Sequence, residues 1–147
     1  MNKIQTIGIK LLNSDACVPE YATLGSACFD IVSTSETTQL MPYSAATLET
    51  GLAFELPENH VMLVFSRSGH GFKQGIRLAN CVGVIDSDYR GELMVRLKND
   101  SAELREIKKG ERCAQGMVIP VTQVHFVQTD ELSDTARGSG GFGSTGN

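Results

Sequence analysis

Apolar and polar residues alternate in short runs along this chain. Ile7, Ile9 and Leu11 are separated by Gly8 and Lys10, and Leu93, Val95 and Leu97 are flanked or separated by Met94, Arg96 and Lys98. Each run presents one apolar face at the two-residue period of a strand. A third run, Val82, Val84 and Ile85, ends in Asp86 and breaks at Tyr89 and Gly91. That order predicts a strand leading into a hairpin turn, with the carboxylate at a pocket wall. Many short strands with frequent turn residues predict an all-β barrel or sandwich. Residues 100–110 are the exception, because Asp100 and Glu103 have capping-box spacing ahead of Leu104 and Lys108, which by propensity spells a short helix. From Ser133 onward aliphatic side chains vanish apart from Ala136 and glycine accumulates. The expected organisation is therefore a core over residues 1–132 and a flexible arm over residues 133–147 that orders only on something else.

Length and charge narrow the function classes. The 147 residues, 41% of them hydrophobic, suit one domain, and no apolar run is long enough to span a membrane. A net charge of −4 argues against broad binding to a nucleic-acid backbone, which needs a basic face, whereas a free nucleotide needs only a few local cations. The N-terminal residues lack the apolar core of a secretory signal, so the expected compartment is the cytoplasm, or the host cytoplasm for a viral protein. Cys17, Cys28, Cys81 and Cys113 are scattered, without metal-ligand spacing, and are expected to be reduced thiols.

Two nucleotide-binding patterns fail on context. Gly138, Gly140 and Gly143 satisfy the dinucleotide fingerprint, but that motif must open a helix within a βαβ unit, and only four residues follow it. Gly69-His70-Gly71-Phe72-Lys73 lacks the spacing and the terminal hydroxyl of a phosphate-binding loop of the Walker type. The better phosphate candidate is Arg67-Ser68-Gly69. Arginine supplies a permanently charged fork, serine a short hydroxyl, and glycine an unobstructed backbone N–H. A short helical turn starting near Ser68 would add partial positive charge there.

Five stretches, in order, carry a resemblance that spans nearly the whole chain. Ala27-Cys28-Phe29-Asp30, Arg67-Ser68-Gly69, the segment from Asn80 to Gly91, Arg112-Cys113-Ala114-Gln115, and Arg137-Gly138-Ser139-Gly140-Gly141-Phe142-Gly143-Ser144-Thr145-Gly146 resemble the five motifs of the trimeric dUTP diphosphatases. The resemblance implies a distorted, jelly-roll-like β-barrel with little helix, and a strand instead of a helix in residues 100–110. It implies a homotrimer whose sites are each built by three subunits, with dUTP hydrolysed at the α-phosphorus to dUMP and diphosphate.

Residue roles follow from the same resemblance. Asp86 is the expected general base for the attacking water. Arg67, Ser68 and Gly69 are expected on the phosphate chain, and Gln115 on the phosphates or a bound water. Asn80 offers an amide of both polarities to the uracil edge, with main-chain groups of Gly83, Val84, Ile85, Asp86 and Met94 beside it. Tyr89 is expected against the deoxyribose, leaving no room for a 2′-hydroxyl. In the arm, Arg137, Gly143, Ser144 and Thr145 are expected at the γ-phosphate end and Phe142 over the base. Mg²⁺ is the implied cofactor, with Asp30 reaching it through water. The sequence departs from the family pattern at Cys28, where glycine is usual, and at Gly116, where an aliphatic residue is more usual and a loss of strand stability is expected.

A deaminase acting on dCTP shares the expected fold, but the arrangement from Asp86 to Tyr89 and the glycine-rich tail fit hydrolysis better. A nucleotide-gated module that binds another protein is the non-enzymatic alternative. Assays of phosphate and ammonia release on dUTP and dCTP separate the three.

Overall fold

The computed structural model describes residues 5–142 and 144. Among them the regular structure is almost entirely antiparallel strand: β1 (Gly8–Leu11), β2 (Phe29–Val32), β3 (Thr38–Leu40), β4 (Ala45–Glu49), β5 (Leu52–Glu55), β6 (His60–Phe65), β7 (Ile76–Leu78), β8 (Val82–Ile85), β9 (Met94–Asn99), β10 (Arg105–Ile107) and β11 (Arg112–Pro120), with one helix, α1 (Ser68–Gln74). The all-β expectation holds. The strands form four sheets, in the orders β1-β5, β10-β3, β2-β11-β6-β8 and β4-β9-β7.

One core lies inside these sheets. Ile31, Leu40, Leu48, Leu52, Met62, Ile76, Leu78, Val95, Leu97 and Ile107 are essentially sealed from water, each from a different strand except for two pairs. The alternation read in β9 is realised: Leu93, Val95 and Leu97 are buried, while Met94 and Arg96 face out. In β1 it is realised only in part, because Ile7 and Ile9 are half-covered and Leu11 is exposed.

Residues 100–110 contain no helix. The strand expected there is confined to Arg105–Ile107, paired with β3, and residues 101–103 form bends. The side chain of Asn99, fully buried, decides this. Its amide nitrogen donates to the carbonyls of Leu40, Met41 and Glu103 at 2.7–3.2 Å, and its oxygen accepts from the N–H of Ser101. Asp100, the would-be cap, is instead paired with Arg77 at 2.6 Å. Tertiary partners thus outweigh a capping preference worth about 1 kcal/mol.

The turn after β8 also departs from expectation. β8 pairs with β6, whereas β9 pairs with β4 and β7, so residues 86–93 cross between two sheets and do not close a hairpin. The crossing is held by Leu93, whose N–H donates to the Leu52 carbonyl of β5 at 2.8 Å, and by Glu92, whose carboxylate accepts from the N–H groups of Thr50 and Gly51 in the turn between β4 and β5. The last strand ends at Pro120, and the chain beyond it runs almost wholly exposed.

Candidate active site

The central strand β11 gathers three of the five motifs. Gln115 sits opposite Asp30 of β2 on one side and Phe65 of β6 on the other. Arg67 follows two residues after Phe65, so antiparallel pairing alone brings the aspartate, the glutamine and the Arg-Ser-Gly turn to one edge. A β-bulge between Arg112 and Ala114 completes the set. It places Cys113 and Ala114 both in the core, which turns Arg112 back to the face that carries Gln115.

The result is an open cavity of about 360 Å³ lined by Ser26, Cys28, Asp30, Arg67, Ser68 and their neighbours Gly69, Arg112 and Gln115. Asp30 lies between two arginines: Nε of Arg67 donates to one carboxylate oxygen at 3.1 Å and a terminal nitrogen of Arg112 to the other, also at 3.1 Å. The Gln115 amide donates to the Ser66 carbonyl at 2.9 Å and fixes the approach to Arg67. Helix α1 begins at Ser68, with Arg67 as its extended N-cap residue. Its first N–H groups have no partner within the helix. Two cations against one carboxylate leave this wall with an excess of positive charge, suited to an anion with several oxygens. Cys28 fills part of the wall, and burial, reinforced by Asp30, pushes its thiol up, so it stays a neutral apolar surface.

Arg112 stands in the fourth motif and is not among the binding residues expected from the sequence. Its signal was a cation heading the strand that carries Gln115; only the bulge shows that it reaches Asp30. Gly116 also has a structural account, since it is buried opposite Phe29, and a Cβ there would stand 2.8 Å from two carbons of the Phe29 ring.

Asp86 is not part of this cavity. β8 runs antiparallel to β6 with Val82 opposite Phe65 and Ile85 opposite Met62, which puts Asp86 level with Val61, six residues from Arg67. At about 3.3 Å per residue, the two lie on the order of 20 Å apart in one chain. The residues expected at the nucleoside lie on or beside β8 and at the start of β9, and none of them lines the cavity. Asn80, Val84, Asp86 and Tyr89 are exposed, and Gly83 and Ile85 half-covered. Tyr89 closes the turn on Asp86 with an N–H···O bond of 3.2 Å. Its hydroxyl donates to the Glu92 carbonyl at 3.0 Å, and its ring lies so close over Gly91 that a Cβ there would stand 2.6 Å from the ring carbon bearing the hydroxyl. Met94 is exposed at the start of β9.

In the arm, Arg137 turns back on its own loop and donates to the Gly140 carbonyl at 2.9 Å, and Phe142 is fully exposed. Ser144 donates its N–H to the Gly141 carbonyl. Gly143 and Thr145 lie outside the described residues. Among the described residues of the arm, the hydrogen bonds stay within the arm itself.

Residues 14–146 match the dUTPase family model. The chain belongs to the dUTPase family. It is 48% identical to the deoxyuridine 5'-triphosphate nucleotidohydrolase of Nautilia profundicola over 94% of this chain and 96% of that one. It is 43% identical to the enzyme of the same name from Hydrogenobaculum sp., with the same coverage. Among solved structures, a dUTPase of Staphylococcus bacteriophage 80alpha with dUpNHpp superposes with a TM-score of 0.90 at 31% identity, over 98% of this chain and 100% of that one. A dUTPase from phage phi11 of S. aureus, whose structure reveals the coordination of a structural Mg(II) ion, superposes with a TM-score of 0.81 at 26% identity, over 88% and 100%. As a dUTPase, this protein hydrolyses dUTP to dUMP and diphosphate, which limits uracil incorporation into DNA and supplies dUMP for dTMP synthesis.

Proposed function

We propose that the dUTPase site is composite, with the phosphate wall of one copy facing the Asp86 turn of another in a homotrimer. The observation that carries this is the separation of Arg67 and Asp86 along β6, on the order of 20 Å. A base and an anion-binding cation acting on one phosphoryl group must both lie within a few ångströms of it. The exposed segment after β11 supports association as well. Val124, Phe126, Val127 and Leu132 are 65–89% exposed, a line of apolar surface that a second copy would cover. The same sealing would dry Asp86, which is open to solvent in the single chain.

In this reading dUTP lies with its phosphates against Arg67, Ser68, Gly69 and Arg112, and its uracil against Asn80 and the main chain of residues 83–86, with Met94 alongside. Tyr89 supports the deoxyribose. Asp86 takes a proton from water as the oxygen attacks the α-phosphorus; the bond from that phosphorus to the bridging oxygen breaks, and diphosphate leaves with the electron pair. Arg67 and Arg112 offset the charge that develops on the phosphate oxygens. Gln115 holds the Ser66 carbonyl and, with it, the Arg67 turn. The arm, bearing Arg137, Ser144, Thr145 and Phe142, closes over the filled site from a third copy.

The donor set fits Mg²⁺ in one manner only. Among the described residues no three His, Cys, Asp or Glu side chains cluster to cage a metal, and both oxygens of Asp30 already accept from arginines. Asp30 suits a contact through metal-bound water, the usual habit of an ion held mainly by substrate phosphates. Mg²⁺ would supply neutralisation of the triphosphate charge when bound with it.

The test is a mixing experiment. Chains carrying Asp86→Asn and chains carrying Arg67→Ala should each be nearly inactive. Mixed trimers, confirmed by mass, should regain dUTP hydrolysis, because some sites then pair an intact Asp86 with an intact Arg67. Mixed trimers that stay inactive would place both residues of a site in one chain.

A further inference from the structure

Behind the phosphate wall, helix α1 places an imidazole where an apolar side chain would fit more cheaply. His70 is buried, its Nε2 lies 3.2 Å from Oε1 of Glu111, and its Nδ1 is buried with no partner. A carboxylate has no proton to give, so the shared hydrogen sits on Nε2. An unpaired buried polar atom is a net cost, and a leucine would fill the same volume without one. What the ring gains in exchange is the bond to Glu111.

Glu111 is a fixed anchor. Its second oxygen accepts from the N–H of Lys108 at 3.0 Å, its own N–H donates to the Lys108 carbonyl at 3.0 Å, and its carbonyl accepts from the N–H of Ser33 at 2.9 Å. The next residue is Arg112. On the other side, His70 follows Ser68 and Gly69 directly in α1, and the N–H of Gly71 donates to the Arg67 carbonyl at 3.1 Å. The bond therefore ties the turn that carries Arg67, Ser68 and Gly69 to the root of the strand that carries Arg112, across the back of the cavity.

We propose that His70 and Glu111 are a positioning pair that holds the Ser68-Gly69 turn at the spacing from Arg112 that a polyphosphate requires, and so tune affinity for the diphosphate end of the substrate and not for its nucleoside. This rests on the assignment of Arg67, Ser68 and Gly69 to the phosphates. Neither side chain touches substrate; both act through their neighbours.

Inhibition of the full-length enzyme by inorganic diphosphate and by deoxyuridine, which carries no phosphate, reads the two ends separately. His70→Leu and Glu111→Ala should each weaken inhibition by diphosphate about five- to tenfold. Inhibition by deoxyuridine should stay within about twofold of the parent, and KM for dUTP should rise more than kcat falls. The double variant should be no worse than Glu111→Ala, since the bond between His70 and Glu111 is lost in all three and the Lys108 N–H bond is already lost in that single variant. Glu111→Gln, which keeps an oxygen facing Nε2, should restore most of the diphosphate affinity. Unchanged diphosphate inhibition in His70→Leu, equal weakening of both inhibitors, or losses that add in the double variant would each overturn the proposal. Arg67→Ala guards the assignment beneath it. If that variant binds diphosphate like the parent, the phosphate assignment falls; if it loses diphosphate while His70→Leu does not, only the positioning role falls.

Discussion

The ring of Phe29 occupies the space that a side chain at Gly116 would need. The two are cross-strand partners on β2 and β11, and a Cβ on residue 116 would stand 2.8 Å from the ring, under the closest approach that real Cβ atoms make. An aromatic laid over a strand glycine covers backbone that would otherwise be bare. The unusual glycine and the phenylalanine of the first motif are one packing unit, directly beside Asp30.

Gly116→Ala is accordingly expected to destabilise the protein by about 1–3 kcal/mol, the usual cost of overfilling a packed core. Urea unfolding at one fixed protein concentration measures it. In a Phe29→Ala background the same change should cost much less, because the clash is gone. Equal costs in both backgrounds would mean that the ring is not what excludes the methyl group.

Asp86→Asn should bind dUTP nearly as the parent does and turn it over slower by roughly 10² to 10⁴ fold, the usual contribution of a positioned general base. Asp88, two residues on in the same turn, is the control. Near-parent turnover in Asp86→Asn together with a dead Asp88→Asn would show that the wrong carboxylate had been assigned.

Tyr89 is locked by its hydroxyl bond to the Glu92 carbonyl and by its contact with Gly91. Tyr89→Phe loses only that bond, worth about 1 kcal/mol, and keeps the ring, so discrimination of dUTP against UTP should persist. Tyr89→Ala should relax it. The ratio of kcat/KM for the two nucleotides across the three proteins decides, and undiminished discrimination in the alanine variant would move the reading of the 2′ position elsewhere.

Burial pushes the Cys113 thiol up to about 12. The folded state thus disfavours the thiolate, and the stability this contributes is complete below the ordinary thiol pKa of about 8.5. It is lost as pH rises from there toward the folded value, at up to about 1.4 kcal/mol per pH unit while only the unfolded chain ionises. Unfolding free energies between pH 8 and 11 should fall less steeply in Cys113→Ala than in the parent. Parallel slopes would assign the alkaline loss to other groups.

The strand content, the apolar face of β9 and the end of β8 just before Asp86 were all legible in the chain, because each depends on side-chain alternation or turn chemistry over a few neighbouring residues. The chemical types of the site were legible for the same reason: a carboxylate after an apolar run and an Arg-Ser-Gly turn state their chemistry locally. Tertiary structure decided what depends on distant partners. Asn99 overruled the capping pattern of Asp100 and Glu103 by offering its buried amide to three carbonyls, and Glu92 and Leu93 held the crossing after β8 in place of a hairpin. The β11 bulge recruited Arg112, the ring of Phe29 explained Gly116, and the register of β8 on β6 separated Asp86 from Arg67. Sheet register and the burial of a single polar side chain are set by pairing between segments far apart in the chain, so local periodicity carries no information about them.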